Sequence, residues 1–168
     1  MMLVHHAGAR SYLFSALNSS PDLVSHLLQG ITEEEADFLA APDRFSIREI
    51  VAHLADWDSI FLGRMKQTVE ENMPTIREYD EGERALELDY AHSNVAEQLR
   101  LFHQSRAQMN EFLRGLTPEQ WERVCFHPRI GHMTVEALVT LVPLHDSYHL
   151  RQIMDWRKAF TVYQSVLD

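Results

Sequence analysis

Four long segments of the chain repeat apolar residues every three or four positions, and this period indicates amphipathic α-helices. The segments span about residues 10–29, 46–73, 88–114 and 134–160. The chain has only six glycines and six prolines, and no alternating apolar–polar pattern persists, so strands are not expected. The polar segment 72–87 is predicted to be a loop or a ragged helix end. The predicted fold class is therefore all-α, with four main helices.

The two halves of the sequence resemble each other. QGITEEEADF (29–38) is similar to RGLTPEQWER (114–123), and FSIREIVAHLADWDSIFL (45–62) is similar to MTVEALVTLVPLHDSYHL (133–150). The first pair carries a capping box headed by threonine in each copy, so each copy opens a short extra helix after a glycine. Each half then has a long helix, a short helix, a loop and a second long helix. Two such halves predict a four-helix bundle around an internal pseudo-twofold axis. The segment FHPRIGHMT (126–134) is predicted to be a loop.

Composition excludes several classes of function. The formal net charge of −10 argues against a nucleic-acid surface and against binding to an anionic membrane, because both need clustered lysine and arginine. The one cysteine, Cys125, cannot form an internal disulfide and fits a reducing compartment. No signal peptide is visible, and no apolar run approaches the ~20 residues of a membrane span. We expect one cytoplasmic domain over residues 1–168, with its core at about 10–158.

Histidines on the apolar stripes are the candidate metal ligands. LVPLHDSYHLRQI (141–153) places His145 and His149 four residues apart on the core-facing stripe of the last helix. This spacing lets two imidazoles reach one ion, although a pair of packed or surface histidines gives the same pattern. His53 lies in the second long helix at the edge of its stripe, where a flanking histidine without function is the alternative. The repeat places these two helices in equivalent positions, and three neutral imidazoles can hold Zn²⁺, Ni²⁺ or another late first-row ion.

Other polar residues on these helices are candidates for catalytic roles. Asp146 could orient a histidine ring, or form an exposed or intrahelical charge pair, and the latter is favoured for its repeat equivalent Asp58. Arg106 falls on the seam of the third long helix, where a charge needs a partner. It would anchor an anionic substrate group or pair with a buried acid. Tyr148 would be a hydrogen-bonding wall residue or a packing residue.

The motifs together resemble the DinB/YfiT-like superfamily. The resemblance covers about residues 10–158 and rests on FSIREIVAHLADWD, LTPEQWER, HPRIGHMT and, most specifically, HDSYHLRQI. It implies a four-helix bundle of the DinB type that is often a homodimer. It also implies a divalent metal, nickel or zinc, on three histidines, and the matching positions are His53, His145 and His149. Some relatives are thiol-dependent S-transferases or isomerases that use bacillithiol or mycothiol, and many others are called metal-dependent hydrolases.

The expected function is metal-dependent chemistry on a small molecule. A metal ion on three histidines could hold a low-molecular-weight thiol cosubstrate as a thiolate for transfer to an electrophile. It could also lower the pKa of water to ~7 for hydrolysis. No carboxylate in the motif is placed as a general base, which favours thiol transfer over hydrolysis. A non-catalytic metal-binding or dimerisation module is the third alternative.

Pro143 departs from the pattern of the resemblance. It precedes His145 by two residues, where relatives carry a good helix former. Proline removes a backbone donor and disrupts the bond to the carbonyl of Val139. A kink there would change how the last helix presents its histidines, and it would either widen the pocket or only bend the helix around a bulky core.

Overall fold

The structure is a computed structural model, and it describes residues 6–167. Within them, the chain forms seven α-helices, one two-stranded sheet and a single 3-10 turn at Tyr90–His92. The elements are α1 (Ala7–Leu27), α2 (Glu33–Asp37), α3 (Ile47–Glu70), α4 (Glu81–Glu87), α5 (Val95–Arg114), α6 (Pro118–Trp121), β1 (Val124–His127), β2 (Gly131–Thr134) and α7 (Val135–Leu167).

The four long helices form a bundle in which each half of the sequence packs against the other. Both α1 and α3 pack along α5 and along α7. The order around the bundle is therefore α1, α5, α3, α7, so the two copies of the repeat interleave. Each copy contains a long, a short and a long helix, which confirms the predicted all-α bundle and its internal repeat.

The short helices begin at the predicted threonines, but their caps differ. Thr117 accepts from the backbone of Gln120, whose side chain accepts from the Thr117 N–H at 2.8 Å, and this completes a capping box. Thr32 also caps its helix by accepting from Glu35 N–H. The Glu35 carboxylate does not return to Thr32, because it accepts from Arg157 Nε on α7 at 2.8 Å. The capping box predicted at Thr32 is thus incomplete, and its glutamate instead forms an ion pair between α2 and α7.

The third long helix begins later than predicted. It starts at Val95 and not near residue 88, since Asp89 has a left-handed backbone (φ 51°) and Asn94 caps the new helix. The preceding segment, predicted as a loop or a ragged end, contains the separate helix α4, whose cap is Asp80. The apolar period alone could not locate this break, because the period continues across it.

A β-hairpin occupies the segment that was predicted to be a loop. β1 and β2 pair antiparallel, with buried Cys125 opposite buried Met133. Phe126 N–H also donates to the carbonyl of Pro74 at 2.8 Å, and Ile76 N–H donates to the carbonyl of Phe126 at 3.0 Å. Strands of four residues are too short to give a persistent alternation, which is why the sequence did not indicate them.

Helix α7 is continuous through Pro143, and Ser147 Oγ donates to the Pro143 carbonyl at 2.7 Å. The local effect of the proline is the lost donation to Val139, whose side chain is fully buried. Within residues 6–167, no helix combines the length and the apolar character needed to cross a bilayer.

Two apolar clusters fill the bundle, and α3 contributes to both. Leu54 belongs to one cluster and Phe61 to the other, with Asp58 in the turns between them. The first cluster also includes Ile50, Phe102 and Ile153. The second also includes Met65, Trp121 and Leu138. Buried polar side chains therefore lie along α3 close to both clusters.

Candidate metal centre

Helices α3 and α7 bring three histidines together. His53 extends from α3, and His145 and His149 extend from successive turns of α7. The Nε2 atoms of His53 and His145 are 2.9 Å apart, and one ligand atom from each residue lies within 4.8 Å of the others. His53 and His149 are buried, and His145 is partly buried. The packing of the two helices thus converts the predicted residues into one cluster.

All three imidazoles are held neutral. Burial, followed by the neighbouring His149 and His145, lowers the pKa of His53 to about 2. Burial likewise lowers the pKa of His145 to about 3, with His149 and Arg106 adding to it. Burial lowers the pKa of His149 to about 4, against the opposing effect of a hydrogen bond to Gln152. At neutral pH each residue therefore offers an unprotonated nitrogen.

The donor set fits a divalent ion of the late first row. Zinc–nitrogen bonds of about 2.0–2.1 Å in tetrahedral geometry separate two nitrogen ligands by roughly 3.3 Å. The Nε2 atoms of His53 and His145 are close to this separation. Three imidazoles on two helices also leave a coordination position open, as catalytic sites require.

The rings of the cluster are held in two different ways. Nδ1 of His149 donates to Oε1 of Gln152 at 3.1 Å, which leaves Nε2 of His149 free for a ligand. The His53 ring instead packs against Trp57, with ring centroids 4.4 Å apart. Its Nδ1 is buried and has no hydrogen-bond partner among the described residues. His149 is therefore oriented by a hydrogen bond from outside the cluster, whereas His53 is oriented by packing against Trp57 and by its contact with Nε2 of His145.

A cavity of about 220 Å³ opens beside His149 and includes Arg44, Glu81, Tyr148 and Gln152 in its walls. Tyr148 is 52% exposed, and its hydroxyl accepts a hydrogen bond from Arg44. Burial, followed by the nearby Asp80, raises the pKa of the Glu81 carboxyl group. Sequence reasoning missed Glu81, because nothing in the polar segment around it indicates that α4 folds back toward α7.

Arg106 joins the four long helices through a buried charge cluster. From α5 it donates to both oxygens of Asp58 on α3, at 2.9 Å and 2.7 Å. Its Nη2 lies 2.8 Å from Asp146 on α7, and its Nη1 donates to the carbonyl of Leu17 on α1 at 2.7 Å. The three charged side chains are each only 2% exposed. The expectation of an exposed or intrahelical charge pair for Asp58 was therefore wrong, and Asp146 pairs with Arg106 while Gln152 orients the ring of His149.

The charge cluster carries two carboxyl groups for one guanidinium group. Burial raises the pKa of Asp58 to about 6 and raises that of Asp146, with Arg106 acting in the opposite direction on both. Although burial disfavours its charge, the two carboxyl groups keep the pKa of Arg106 above its ordinary value. Of these three charged groups, Arg106 is the one that acts on the pKa of His145, and it lowers that pKa and so keeps the ring neutral.

The fold and the site together define a class of protein. It is a four-helix bundle in which three histidines converge from two adjacent helices. The profile of the DinB superfamily matches residues 16–153, and the chain belongs to this superfamily. This confirms the resemblance seen in the sequence.

Relatives of known name agree with this assignment. The chain is 27% identical over 133 residues to a protein of Oceanobacillus iheyensis, covering 79% of this chain and 77% of the relative. It is 26% identical over 140 residues to YfiT of Bacillus subtilis, covering 83% and 79%. Both relatives carry the name "putative metal-dependent hydrolase".

A solved structure shares the fold. The structure of YfiT from Bacillus subtilis matches with a TM-score of 0.86 and 23% identity, covering 92% of this chain and 89% of that one. That protein is described as "a probable metal-dependent hydrolase with an unusual four-helix bundle topology". At this identity the match establishes the fold of the chain and nothing further.

Proposed function

We propose that this protein is a metal-dependent hydrolase of a small molecule and that His53, His145 and His149 bind its divalent ion, Zn²⁺ or Ni²⁺. One observation carries the proposal. Three neutral imidazoles have their ligand atoms within 4.8 Å of one another, and His149 lines an open cavity. The names of the relatives support the reaction class.

The residues around the cluster have distinct roles in this proposal. When bound, a divalent ion lowers the pKa of water to ~7 and polarises a carbonyl oxygen. Gln152 fixes the ring of His149, and Trp57 packs over His53 to exclude water. Glu81 is the proposed general base, since it lines the same cavity as His149 and burial raises the pKa of its carboxyl group, which strengthens it as a base. Tyr148 accepts from Arg44, so its own O–H proton is available to a substrate oxygen.

Two of the catalytic candidates from the sequence take a supporting role here. Arg106 donates to two acids and a backbone carbonyl, so it has little capacity left to anchor a substrate. Asp146 is held by Arg106 and is assigned to the position of α7 and not to proton transfer. Tyr148 remains the proposed wall residue at the cavity.

Thiol-dependent S-transfer stays a prediction from the family resemblance. The motif around His145 and His149 offers no general base, which favoured thiol transfer. Glu81 in the wall of the cavity supplies a carboxylate and so weakens that argument. We therefore place hydrolysis before thiol transfer, and a non-catalytic metal-binding module after both.

Metal content and activity test the proposal together. Protein purified without a histidine tag should contain about one equivalent of metal, measured by plasma mass spectrometry. His149→Ala should remove the metal, whereas His26→Ala, which changes an exposed histidine on α1, should retain it. Substoichiometric metal that does not change in His149→Ala would contradict the proposed site.

Activity then separates the candidate functions. The metal-loaded protein should hydrolyse members of a panel of activated esters and amides without any thiol. Glu81→Gln should lower kcat and remove the acidic limb of its pH profile while metal content stays constant. Conjugation of a chromogenic electrophile only in the presence of a thiol would instead establish S-transfer. Metal binding with neither activity would leave the non-catalytic module.

A further inference from the structure

A second pocket, of about 290 Å³, lies beside α3, and none of the three clustered histidines lines it. Its walls include three arginines and one tyrosine, Arg64, Arg77, Arg84 and Tyr79. Arg64 follows His53 by eleven residues of α3, which is about 16 Å along the helix axis. We call this the arginine pocket.

The arginines of the pocket surround one aromatic ring. The Cζ atoms of Arg77, Arg84 and Arg64 lie 4.6, 5.1 and 5.8 Å from the centre of the Tyr79 ring. Each contact is a favourable cation–π arrangement, but three guanidinium groups around one ring also repel one another. In a chain with a net charge of −10, this pocket is therefore a local concentration of positive charge.

Among residues 6–167, one of the three arginines is neutralised by ion pairs, and this is Arg84. Arg84 donates to both oxygens of Asp56 at 2.5 Å and 2.7 Å, and its Nη1 lies 3.8 Å from Glu87. Asp56 also accepts from the Tyr90 hydroxyl at 2.7 Å. Asp56 also lines the pocket, but its single negative charge is already paired with Arg84 and does not balance the other two arginines.

Arg64 and Arg77 have no ion-pair partner among residues 6–167. Nη2 of Arg64 donates to the carbonyl of Arg77 at 2.9 Å, and Nε of Arg64 is a buried donor without an acceptor. Glu78 is near enough to act on Arg64 electrostatically, but its carboxylate is ion-paired with Arg129. Two positive charges at this pocket are thus left without a matching acid.

We propose that the arginine pocket binds a small-molecule anion through a phosphate or carboxylate group. Guanidinium groups present paired N–H donors that match both groups, and their charge is permanent. Ser59 and Gln67, which also line the pocket, offer neutral hydrogen bonds beside the two unpaired arginines. The site is separate from the metal centre and does not depend on the proposed hydrolysis.

Gly63 allows the pocket to be filled without removing a charge. It lies within α3 in the pocket wall, and a Cβ atom built on it meets no neighbouring atom within 4 Å. Gly63→Leu should therefore place a side chain in the open space of the pocket. Because leucine has the higher helix propensity, this variant is expected to fold at least as stably as the wild type.

Titration calorimetry with inorganic phosphate and with succinate, at constant ionic strength, tests the proposal. The wild type should bind at least one of them saturably, and the anion should raise its Tm. Arg77→Gln and Gly63→Leu should each weaken binding tenfold or more. Arg100→Gln, which changes an exposed arginine paired with Glu97 on α5, should bind as the wild type does. Preference for phosphate or for succinate identifies the anionic group of the natural ligand.

Phosphate can also bind metal ions, so the same titration is made with His149→Ala. Undiminished binding by this variant assigns the anion to the arginine pocket whether or not the metal proposal holds. The proposal is overturned if the wild type binds neither anion saturably. It is also overturned if Arg77→Gln and Gly63→Leu both bind like the wild type, or if His149→Ala abolishes binding.

Discussion

Two buried polar clusters lie side by side on α3 and α7, and they differ in how their polar groups are paired. In the charge cluster, Arg106 binds Asp58, Asp146 and a backbone carbonyl of α1. In the histidine cluster, two Nε2 atoms face each other at 2.9 Å, and Nδ1 of His53 has no partner in the described part of the chain. Oδ2 of Asp146 lies in ion-pair contact with Arg106 but makes no hydrogen bond within the described residues, so the charge cluster is balanced in charge and not in hydrogen bonds. Paired charges hold helices together, whereas neutral imidazoles keep lone pairs that can bind a ligand.

The internal repeat also separates the charge cluster from the histidine cluster. Asp58 and Asp146 occupy equivalent positions in the two copies, and both contact the one arginine between them. The histidines break the symmetry, since His145 is equivalent to Trp57 on α3 and His149 to Phe61. Trp57 and Phe61 pack near the His145 ring, with centroids 6.4 Å and 5.6 Å away. The charge cluster follows the symmetry of the fold, and the candidate site arises where the copies diverge.

Removing the cation of the charge cluster should have the largest effect. Arg106→Met leaves Asp58 and Asp146 buried without a counter-charge, and breaking a buried ion pair in this way costs about 3–5 kcal/mol. We expect the free energy of unfolding, measured in urea, to fall by this amount. His149→Ala, in the histidine cluster, should lower the free energy of unfolding much less in the absence of metal.

A compensated variant controls for the loss of packing around Arg106. Replacing both acids by leucine in the Arg106→Met background removes the unpaired charges and should restore most of the lost stability. If Arg106→Met alone lowers the free energy of unfolding by less than about 1 kcal/mol, the charge cluster does not hold the four helices together.

Acid should separate the two clusters by the sign of their response. The pKa values of the three histidines are lowered in the folded state, to about 2, 3 and 4, so the unfolded chain binds more protons below its ordinary pKa of ~6.5. The stability that depends on these neutral histidines is therefore fully present above about pH 6.5 and is lost as the pH falls below it. Between pH 7.5 and 6 the metal-free protein should lose about 2 kcal/mol in total.

The carboxyl group of Asp58 should respond in the opposite direction. Its pKa is raised to about 6 in the folded state, so its contribution grows as the pH falls from about 6 towards its unfolded value. Urea titrations in the presence of a chelator should show the histidine loss, and His53→Leu should reduce its slope by about a third. A slope unchanged in His53→Leu would show that the histidine cluster is not held neutral.

The orientation of His149 should affect metal affinity without affecting the charge cluster. Gln152→Leu removes the acceptor for Nδ1–H and should weaken metal binding about tenfold, at the lower end of the range for such partners because the bond is 3.1 Å long. Competition with a chromogenic chelator measures the affinity. Gln152→Glu is the matched control, since its carboxylate should restore the acceptor. Equal affinity in the leucine variant and the wild type would contradict a metal bound through Nε2 of His149.

The sequence was enough to predict the parts of the molecule that depend on helical period. That period placed His145 and His149 on one inward stripe, and the repeat set the helix of His53 in an equivalent position. Contacts between helices distant in sequence were not predictable in the same way. Helical phase showed that Arg106 is buried, but the choice of Asp58 and Asp146 as its partners depends on how the four helices pack.

Short elements and folded-back segments also escaped prediction. The β-hairpin is stabilised by pairing with residues 74–76, a contact across about fifty residues that local patterns do not record. The position of Glu81 depends on the left-handed turn at Asp89 and on the pairing of Arg84 with Asp56. Such tertiary contacts override the weak local preferences of a polar segment.

The smallest expected effect on stability lies at the margin of the charge cluster, at the side chain of Ser105. Ser105 Oγ donates to Oδ2 of Asp58 at 3.3 Å and to the carbonyl of Phe102 at 3.1 Å, while Asp58 already accepts two shorter bonds from Arg106. Ser105→Ala should therefore cost only about 0.5–1 kcal/mol, measured by thermal unfolding against Ser147→Ala as an exposed control for helix propensity. A cost above about 2 kcal/mol would show that Asp58 depends on the third donor. The charge cluster would then depend on a hydrogen bond from a neutral side chain as well as on its paired charges.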